Sequence, residues 1–203
     1  YDPCMFFGER HDRRKTPSHL RGLHYVPILV DDLSSYLNDT SRARENYAKF
    51  IAALDKKYPT DDMGQIEFYL KQAVTADPQS DDYSISQEAH IGKMLEKHDM
   101  SRCNPAPLPF ESGHMHDILR QGRSAPENAN DPATDSTEYR SILGGLNFPA
   151  VMTRPDIANT VSVLQRFQQK PRHSHLNAAR RVQRYLQGTR SYGLCYTGGA
   201  VQL

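Results

Sequence analysis

A polar stretch at residues 104–134 places the strongest constraint on the fold, because it separates two parts of the chain with different hydrophobic patterns. It is rich in Pro, Ser, Asn, Asp and His and has little periodicity, which is typical of a linker or a long loop. Strand-like and mixed segments precede it, and three helical segments follow it. We predict an α+β chain with a mixed part (1–103), a linker (104–136) and a helical part (137–203).

The mixed part combines short strands with two helices. Short apolar runs predict strands at residues 4–8, 23–30, 66–75 and 83–86. Pro27 cannot donate a backbone hydrogen bond, so its strand is expected to lie at a sheet edge or to bend there. Apolar residues at helical spacing predict helices over residues 39–58 and 87–98.

The helical part is predicted to contain three helices and a closing strand at residues 192–196. The first helix is expected over about residues 137–148, and the second starts near Arg154. Ser174 is the expected cap of the third helix, which should end with Gly188 in a left-handed conformation.

The charge is distributed unevenly along the chain. From Ser136 onward there are nine basic and two acidic residues, a net charge of +7. The remainder has 16 basic and 22 acidic residues, a net charge of −6. An acidic part joined to a basic part fits a protein that handles metal ions and phosphates, but two ordinary solvated faces explain the same charges equally well.

Composition narrows the class of protein. Hydrophobic residues make up 37% of the chain, which is low for a compact globule and favours a loosely packed or incomplete unit. Cys4, Cys103 and Cys195 are odd in number and far apart, so we expect reduced thiols rather than disulfides or a zinc site. No apolar run approaches the roughly 20 residues of a membrane span, and no signal peptide is recognisable. An intracellular protein without a membrane partner is predicted.

The acidic pair Asp31-Asp32 directly follows the apolar residues 28–30, unlike Asp61-Asp62 and Asp81-Asp82. Carboxylates at the end of a strand can hold Mg²⁺ without a flexible stem, and Mg²⁺ prefers carboxylate and phosphate oxygens. Successive strand residues point to opposite faces, so we expect Asp31 to be the main ligand and Asp32 a secondary one. Taken by themselves, the residues favour a strand-ending turn with two solvated acids.

The order and spacing of motifs in the last third resemble the region after the polymerase centre of copia-type retrotransposon reverse transcriptases. The matching motifs span residues 139–146, 153–157, 181–189 and 192–196. Upstream, Val30-Asp31-Asp32 takes the place of the family's Tyr-Val-Asp-Asp signature, with Leu29 where the family has Tyr. The residues Phe68-Tyr69-Leu70 resemble the start of its primer-grip strand, with Lys71 in place of the expected Gly.

The resemblance implies RNA-directed DNA synthesis assisted by Mg²⁺. Asp31 and Asp32 would be the catalytic, metal-binding residues, and Phe68, Tyr69 and Leu70 would lie at the primer. The implied partners are the RNA or DNA template–primer, the deoxynucleoside triphosphate and the remainder of the polyprotein. The implied architecture is the end of a polymerase palm, a polar linker, and a helical thumb and connection. The implied location is a cytoplasmic particle or the nucleus.

Arginines on the third predicted helix form the candidate nucleic-acid surface. Arg180, Arg181 and Arg184 lie mostly beside an apolar stripe. Contacts to phosphates release counterions, so binding should depend on salt and hardly on sequence. The resemblance implies that these arginines touch phosphates, whereas an amphipathic helix with hydrated arginines is the structural alternative.

Two other patterns predict structure rather than chemistry. The histidine pairs His114/His116 and His173/His175 lack nearby Cys or clustered acids, so we expect surface positions. Gly144-Gly145 has no phosphate-loop pattern around it and is expected to allow close helix packing.

Parts of the family's machinery cannot be mapped onto this chain: an upstream metal-binding Asp, the fingers and the ribonuclease H region. Two carboxylates from one turn cannot complete a two-metal site, so the chain is expected to be inactive alone. Because it begins at Tyr1 rather than Met, a fragment is expected, although processing or the choice of boundaries would look the same. Whether it acts as an enzyme stays open, and the alternatives are a non-catalytic nucleic-acid-binding module or a decayed remnant.

Overall fold

The computed structural model describes residues 5–7, 24–29, 32–33, 36–37, 41–59, 61, 64–77, 82–111, 113, 118 and 131–197. Side chains are described from Ser41 onward, except those of Arg42 and Ala43. The chain divides into two compact units, Tyr1–Ile66 and Glu67–Leu203. The division into 1–103, 104–136 and 137–203 stays a prediction. The α+β class is confirmed, since both units contain antiparallel strands and helices.

Unit 1 is a small antiparallel sheet followed by a helix. Its elements are β1 (Met5–Phe7), β2 (His24–Leu29), β3 (Asp32–Leu33), β4 (Tyr36–Leu37) and α1 (Ser41–Asp55). β2 pairs with β1 on one side and with β3 and β4 on the other. Of the two alternatives expected for the Pro27 strand, the edge position is wrong, because β2 has partners on both sides, and Pro27 lies opposite Met5. A bend at Pro27 stays a prediction.

Unit 2 joins a four-stranded sheet to a group of helices. Its elements are β5 (Phe68–Tyr69), β6 (Gln72–Ala76), β7 (Tyr83–Ser86), α2 (Glu88–Lys97), α3 (Ser136–Met152), α4 (Pro155–Gln165), α5 (His173–Gly188) and β8 (Gly193–Tyr196). The strand order is β5-β6-β7-β8, with every neighbouring pair antiparallel. The last strand of the chain thus completes a sheet begun more than a hundred residues earlier.

Close approach of the backbones at β7 and β8 requires a glycine. Gly193 lies opposite Ser86, and a Cβ on Gly193 would stand 2.2 Å from the carbonyl oxygen of Ile85. Further along the same strands, Tyr83 and Tyr196 lie opposite each other, and their rings stack with centroids 4.7 Å apart. Such a cross-strand aromatic pair stabilises the register of the two strands.

The single strand predicted at residues 66–75 is wrong, because the chain reverses within it. Phe68 pairs with Ala73 and Tyr69 with Gln72, which leaves a two-residue turn. Both turn residues have positive φ angles, +50° at Leu70 and +63° at Lys71. Neither is a Gly, Asn or Asp, the residues that usually signal such a turn, so the sequence pattern concealed it.

The core of unit 2 lies between its helices. Fully buried side chains come from each of the four, including Ile91, Leu95, Leu146, Leu164 and Leu186. Tyr139 is also fully buried; its hydroxyl donates to the Leu164 carbonyl at 2.8 Å, and burial raises its pKa. Close packing at the glycine pair is confirmed for one member only: a Cβ on Gly145 would stand 2.8 Å from Met94, whereas Gly144 faces open space.

Helix α5 begins differently from the sequence prediction. Its cap is Arg172 rather than Ser174, which lies inside the first turn. The carboxylate of Asp131 accepts hydrogen bonds from both the backbone N–H and the hydroxyl of Ser174, each at 2.8 Å. At the other end, Gly188 is the last helical residue rather than a left-handed residue after the helix, and a Cβ there would stand 2.9 Å from Pro105.

The surface position expected for His175 is wrong, whereas His173 is exposed. His175 is 1% exposed and stacks on Phe167 with ring centroids 4.0 Å apart. Its Nδ1 accepts a hydrogen bond from the Arg172 backbone N–H at 3.1 Å. Burial lowers its pKa to about 4, because a charged imidazolium is poorly solvated there. His114 and His116 lie outside the described residues.

Candidate nucleic-acid interface

Asp32, the second residue of the acidic pair, belongs to β3 in unit 1. Leu29 lies opposite Asp32, and Tyr25 lies opposite Tyr36 in the same register. Residues 30 and 31 connect the paired strands and lie outside the described residues, as does the side chain of Asp32. The backbone therefore places Asp32 at the first position of β3, next to the connection, and the metal site stays a prediction. Elsewhere, the described side chains include no group of three or more His, Cys, Asp or Glu that could hold a metal ion.

The predicted primer-contacting residues lie at the β5–β6 turn. Phe68 is 61% exposed and Leu70 is 39% exposed, while Tyr69 is half-buried. Phe68 also lines a groove between the sheet and α2, together with Lys93 and Arg190. The role of these three residues at a primer stays a prediction.

All three arginines predicted to touch phosphates have partners within unit 2. Arg180 Nη2 lies 2.6 Å from a carboxylate oxygen of Glu138. Arg181 forms an ion pair with Glu111. Arg184 Nε donates to the backbone carbonyl of Asn104 at 2.7 Å.

The partners of Arg181 and Arg184 belong to residues 101–111, which extend along α5. The Gln187 side chain donates to the Ser101 carbonyl at 2.8 Å, and the Ala106 N–H donates to the Arg184 carbonyl at 3.2 Å. Ala106 is 5% exposed. The first residues of the predicted linker are therefore packed on α5, and we call residues 101–111 the α5 strap.

A second set of cations lies on α2. Lys93, Lys97, His90 and His98 line a cavity of about 250 Å³ that α2 forms with Ser141 of α3, which we call the basic cleft. Its floor is apolar, and no carboxylate lines it. Burial and the charge of Lys97 lower the pKa of His98, which favours its neutral form at neutral pH.

Arg190 lies against α2 beside Gly92, in a groove next to the basic cleft. A Cβ on Gly92 would stand 2.5 Å from Arg190 Nη2, so the guanidinium rests against the helix where it has no side chain. The groove that Arg190 shares with Phe68 and Lys93 is also lined by Glu88 and Glu96. It therefore has mixed charge, unlike the basic cleft.

A buried arginine fixes the end of α5 next to Arg190. Arg154 is 1% exposed and donates two hydrogen bonds to Asp156, at 3.0 and 2.7 Å. It also donates to the carbonyl and hydroxyl oxygens of Thr189, at 2.8 and 2.7 Å. The hydroxyl of Tyr185 donates to Asp156 at 2.8 Å. This set of contacts ties the start of α4 to the last turn of α5.

The same contacts shift two pKa values. Burial alone would raise the pKa of Asp156, but hydrogen bonds from Arg154 and Tyr185 outweigh it and hold the pKa below its ordinary value. Burial, followed by the hydrogen bond to Asp156, raises the pKa of Tyr185. Asp156 therefore stays ionised and Tyr185 stays protonated at neutral pH, as the hydrogen-bond directions require.

The basic cleft was not predicted from the sequence. The helix at residues 87–98 was predicted from its apolar, core-facing side chains alone. A signal was present, because Lys93 and Lys97 are four residues apart and thus lie on one face of a helix. His90 lies about one turn before Lys93, and His98 directly follows Lys97 at the end of the helix.

The chain resembles retrotransposon polyproteins over most of its length. It is 31% identical to the retrovirus-related Pol polyprotein from transposon TNT 1-94 of Nicotiana tabacum over 199 residues, 97% of this chain and 14% of the relative. It is 32% identical to a putative transposon Ty5-1 protein of Saccharomyces cerevisiae over 186 residues, 87% of this chain and 53% of the relative. It is 28% identical to the Pol polyprotein from transposon RE2 of Arabidopsis thaliana over 174 residues, 86% of this chain and 11% of the relative.

These similarities define the class: the chain is a relative of retrotransposon Pol polyproteins. Within that class, the predicted relationship to copia-type retroelements is confirmed. The chain spans about half the length of one of these relatives and less than a sixth of the two polyproteins. No family model and no solved structure matches it. Among the described helices, none is both long and apolar enough to cross a bilayer.

Proposed function

We propose that the chain is a segment of a reverse transcriptase, which binds template–primer and contributes Asp31 and Asp32 to the polymerase centre. The observation that carries this proposal is the similarity to a Pol polyprotein across 97% of the chain, from the acidic hairpin to the helices. Residues 1–103 are then the end of the palm, and residues 137–203 the thumb and connection. Such a segment would function in a cytoplasmic particle or the nucleus.

The hairpin supports the proposed role of the two acids. Because Leu29 pairs with Asp32, only residues 30 and 31 connect β2 to β3. The backbone of Asp32 therefore belongs to a paired ladder, and Asp31 directly precedes it in sequence. Two carboxylates suit Mg²⁺, which prefers oxygen ligands, and Asp31 and Asp32 would be its ligands. Bound there, the ion would orient the primer hydroxyl and stabilise the leaving pyrophosphate.

Primer extension tests the catalytic part of the proposal. The isolated chain is expected to give no extension, whereas a longer polyprotein segment that contains it should extend a primer with Mg²⁺ and deoxynucleoside triphosphates. In that segment Asp31→Asn should abolish extension, because it removes a charged ligand. Asp61→Asn is the matched control, since Asp61 is an exposed acid of the same unit. Full extension by the Asp31→Asn variant would refute the assignment.

A non-catalytic nucleic-acid-binding module is the second candidate. It is favoured by the basic cleft, which lies in unit 2 and does not involve the acidic pair. Filter binding of a primer–template across a salt series separates the candidates when it is done beside primer extension. Salt-dependent binding with no extension by the longer segment would favour the module, and no binding at low salt would favour a decayed remnant.

A further inference from the structure

We propose that the basic cleft on α2, rather than the arginines of α5, is where this chain binds the nucleic-acid backbone. This inference rests on the proposed function, because it names the surface that template–primer would occupy. The lysines of the cleft, Lys93 and Lys97, would contact consecutive phosphates, and Arg180, Arg181 and Arg184 would stabilise the fold.

The guanidinium groups of the three α5 arginines already have partners within unit 2. Arg180 and Arg181 each face a carboxylate, those of Glu138 and Glu111. A phosphate that approached either arginine would have to displace or repel that carboxylate. Binding there would therefore lose an internal ion pair for each external one gained, and the net electrostatic gain would be small.

Arg184 is engaged in another way. Its Nε donates to the Asn104 carbonyl, and its own carbonyl accepts from the Ala106 N–H. These bonds hold the α5 strap on the helix, although Asn104 and Arg184 are 80 residues apart in the sequence. Moving the guanidinium toward a ligand would leave the Asn104 carbonyl without this donor, at a cost typical of a lost hydrogen bond.

The two lysines of α2, in contrast, are not engaged with other described residues. Both side chains are exposed, and within the described part of the chain neither forms a hydrogen bond or an ion pair. Four residues of α-helix rise by about 6 Å. One strand of a duplex carries a charge about every 3.4 Å along the axis, so the two ammonium groups span about two phosphate charges.

The surroundings of the two lysines also favour an anion. The cleft is lined by two lysines and two histidines but by no carboxylate, so every charge on its wall favours an anion. Its remaining polar lining, Ser141, supplies a hydroxyl that can donate to a phosphate oxygen. The neighbouring groove, which Lys93 also lines, holds both Glu88 and Glu96, which repel phosphates, so the phosphate path is expected on the Lys97 side of Lys93.

The test is the salt dependence of primer–template binding by single-charge variants of the full 203-residue chain. Lys93→Gln and Lys97→Gln each remove a proposed phosphate contact. Arg181→Gln and Arg184→Gln each remove a contact within the fold, to Glu111 and to the Asn104 carbonyl. Lys170→Gln is the matched control, because Lys170 is an exposed cation outside the cleft. Chemical denaturation of each variant reports its stability.

Each cleft variant is expected to reduce the slope of log K against log salt by about 0.9, the value for one phosphate contact on a duplex. Between 50 and 200 mM salt, its affinity should therefore fall about 3.5-fold less than that of the parent chain. The Arg181 and Arg184 variants should keep the parental slope and unfold at lower denaturant concentration. The control should change neither quantity.

Three results would overturn the inference in distinguishable ways. A reduced slope in the Arg181 and Arg184 variants, with parental slopes for the lysine variants, would place the backbone on α5 and leave the proposed function standing. Equal reductions in all five variants, Lys170→Gln included, would indicate a diffuse electrostatic field without a site. Failure of the parent chain to bind at low salt would remove the proposed function together with the inference.

Discussion

Acid should destabilise unit 2 through His175. Nδ1 of the ring accepts a hydrogen bond from the Arg172 N–H, so the neutral imidazole carries its proton on Nε2, which has no hydrogen-bond partner among the described residues. A second proton would have to be added at Nδ1, where it would remove that acceptor and charge a buried ring. Asp131 favours the charged form and Arg172 opposes it, but burial is the largest effect.

The size of the effect follows from the pKa values. His175 has a pKa of about 4 in the folded chain and 6.5 as its ordinary value. Because the folded pKa is depressed, the unfolded chain takes up the proton first, and stability is lost as pH falls from about 6.5 toward 4. Between pH 7 and pH 5 the expected loss in the free energy of unfolding is about 2 kcal/mol.

The assay is urea denaturation of the chain at pH 7, 6 and 5, the range in which the unfolded chain takes up this proton before the folded chain does. His175→Gln removes the titration but keeps a side-chain acceptor for the Arg172 N–H, as glutamine at this helix position can. It should be less stable than the parent at pH 7 and should show little further loss at pH 5. His173→Gln is the matched control, because His173 is exposed and lies two residues before His175. It should lose as much stability between pH 7 and pH 5 as the parent does. Equal acid losses in the parent and the His175→Gln variant would refute the reasoning.

Three further predictions concern stability and are measured by chemical denaturation. Arg154→Lys should cost about 3 kcal/mol, because one ammonium cannot replace the buried paired hydrogen bonds to Asp156 together with those to Thr189; a loss below about 1 kcal/mol would contradict the buried network. Lys71→Gly should stabilise unit 2 by about 1 kcal/mol, because glycine adopts the positive φ of +63° without strain; destabilisation would contradict the turn. Gly193→Ala should destabilise the β7–β8 pair, since its Cβ would stand 2.2 Å from a carbonyl oxygen, whereas Gly144→Ala, which faces open space, should be neutral or stabilising.

Elements with a strong local signal could be predicted from sequence. The helix at 87–98 matches α2 to within one residue at each end, because its apolar side chains recur at helical spacing. Pro155 stands in the first turn of α4, where its missing N–H is tolerated. The turn at Leu70 and Lys71 could not be predicted, because its residues are not the usual ones and its conformation depends on the pairing of β5 with β6.

Which arginines have partners within the fold could not be predicted either, because each partner is distant in sequence. Arg180 and Glu138 are 42 residues apart, and Arg184 and Asn104 are 80 residues apart. A helical wheel shows which arginines point away from the core, but it does not show what covers them. The α5 strap contacts Arg181 and Arg184, although the polar composition of residues 104–134 suggested a linker or a long loop. His175 was misplaced for the same reason, since Phe167 and Asp131 approach it from other segments.

The motifs that carry the family resemblance in the helical part mostly build the fold. Arg154 and Asp156 come from one motif, Tyr185 and Thr189 from another, and in the structure they bond to each other at the junction of α4 and α5. A network that binds its own residues this closely has few groups left for a ligand. Similarity in these motifs therefore supports a shared architecture, while any shared chemistry must come from groups that the fold leaves free. Among the described residues of unit 2, the lysines of the basic cleft are examples of such groups.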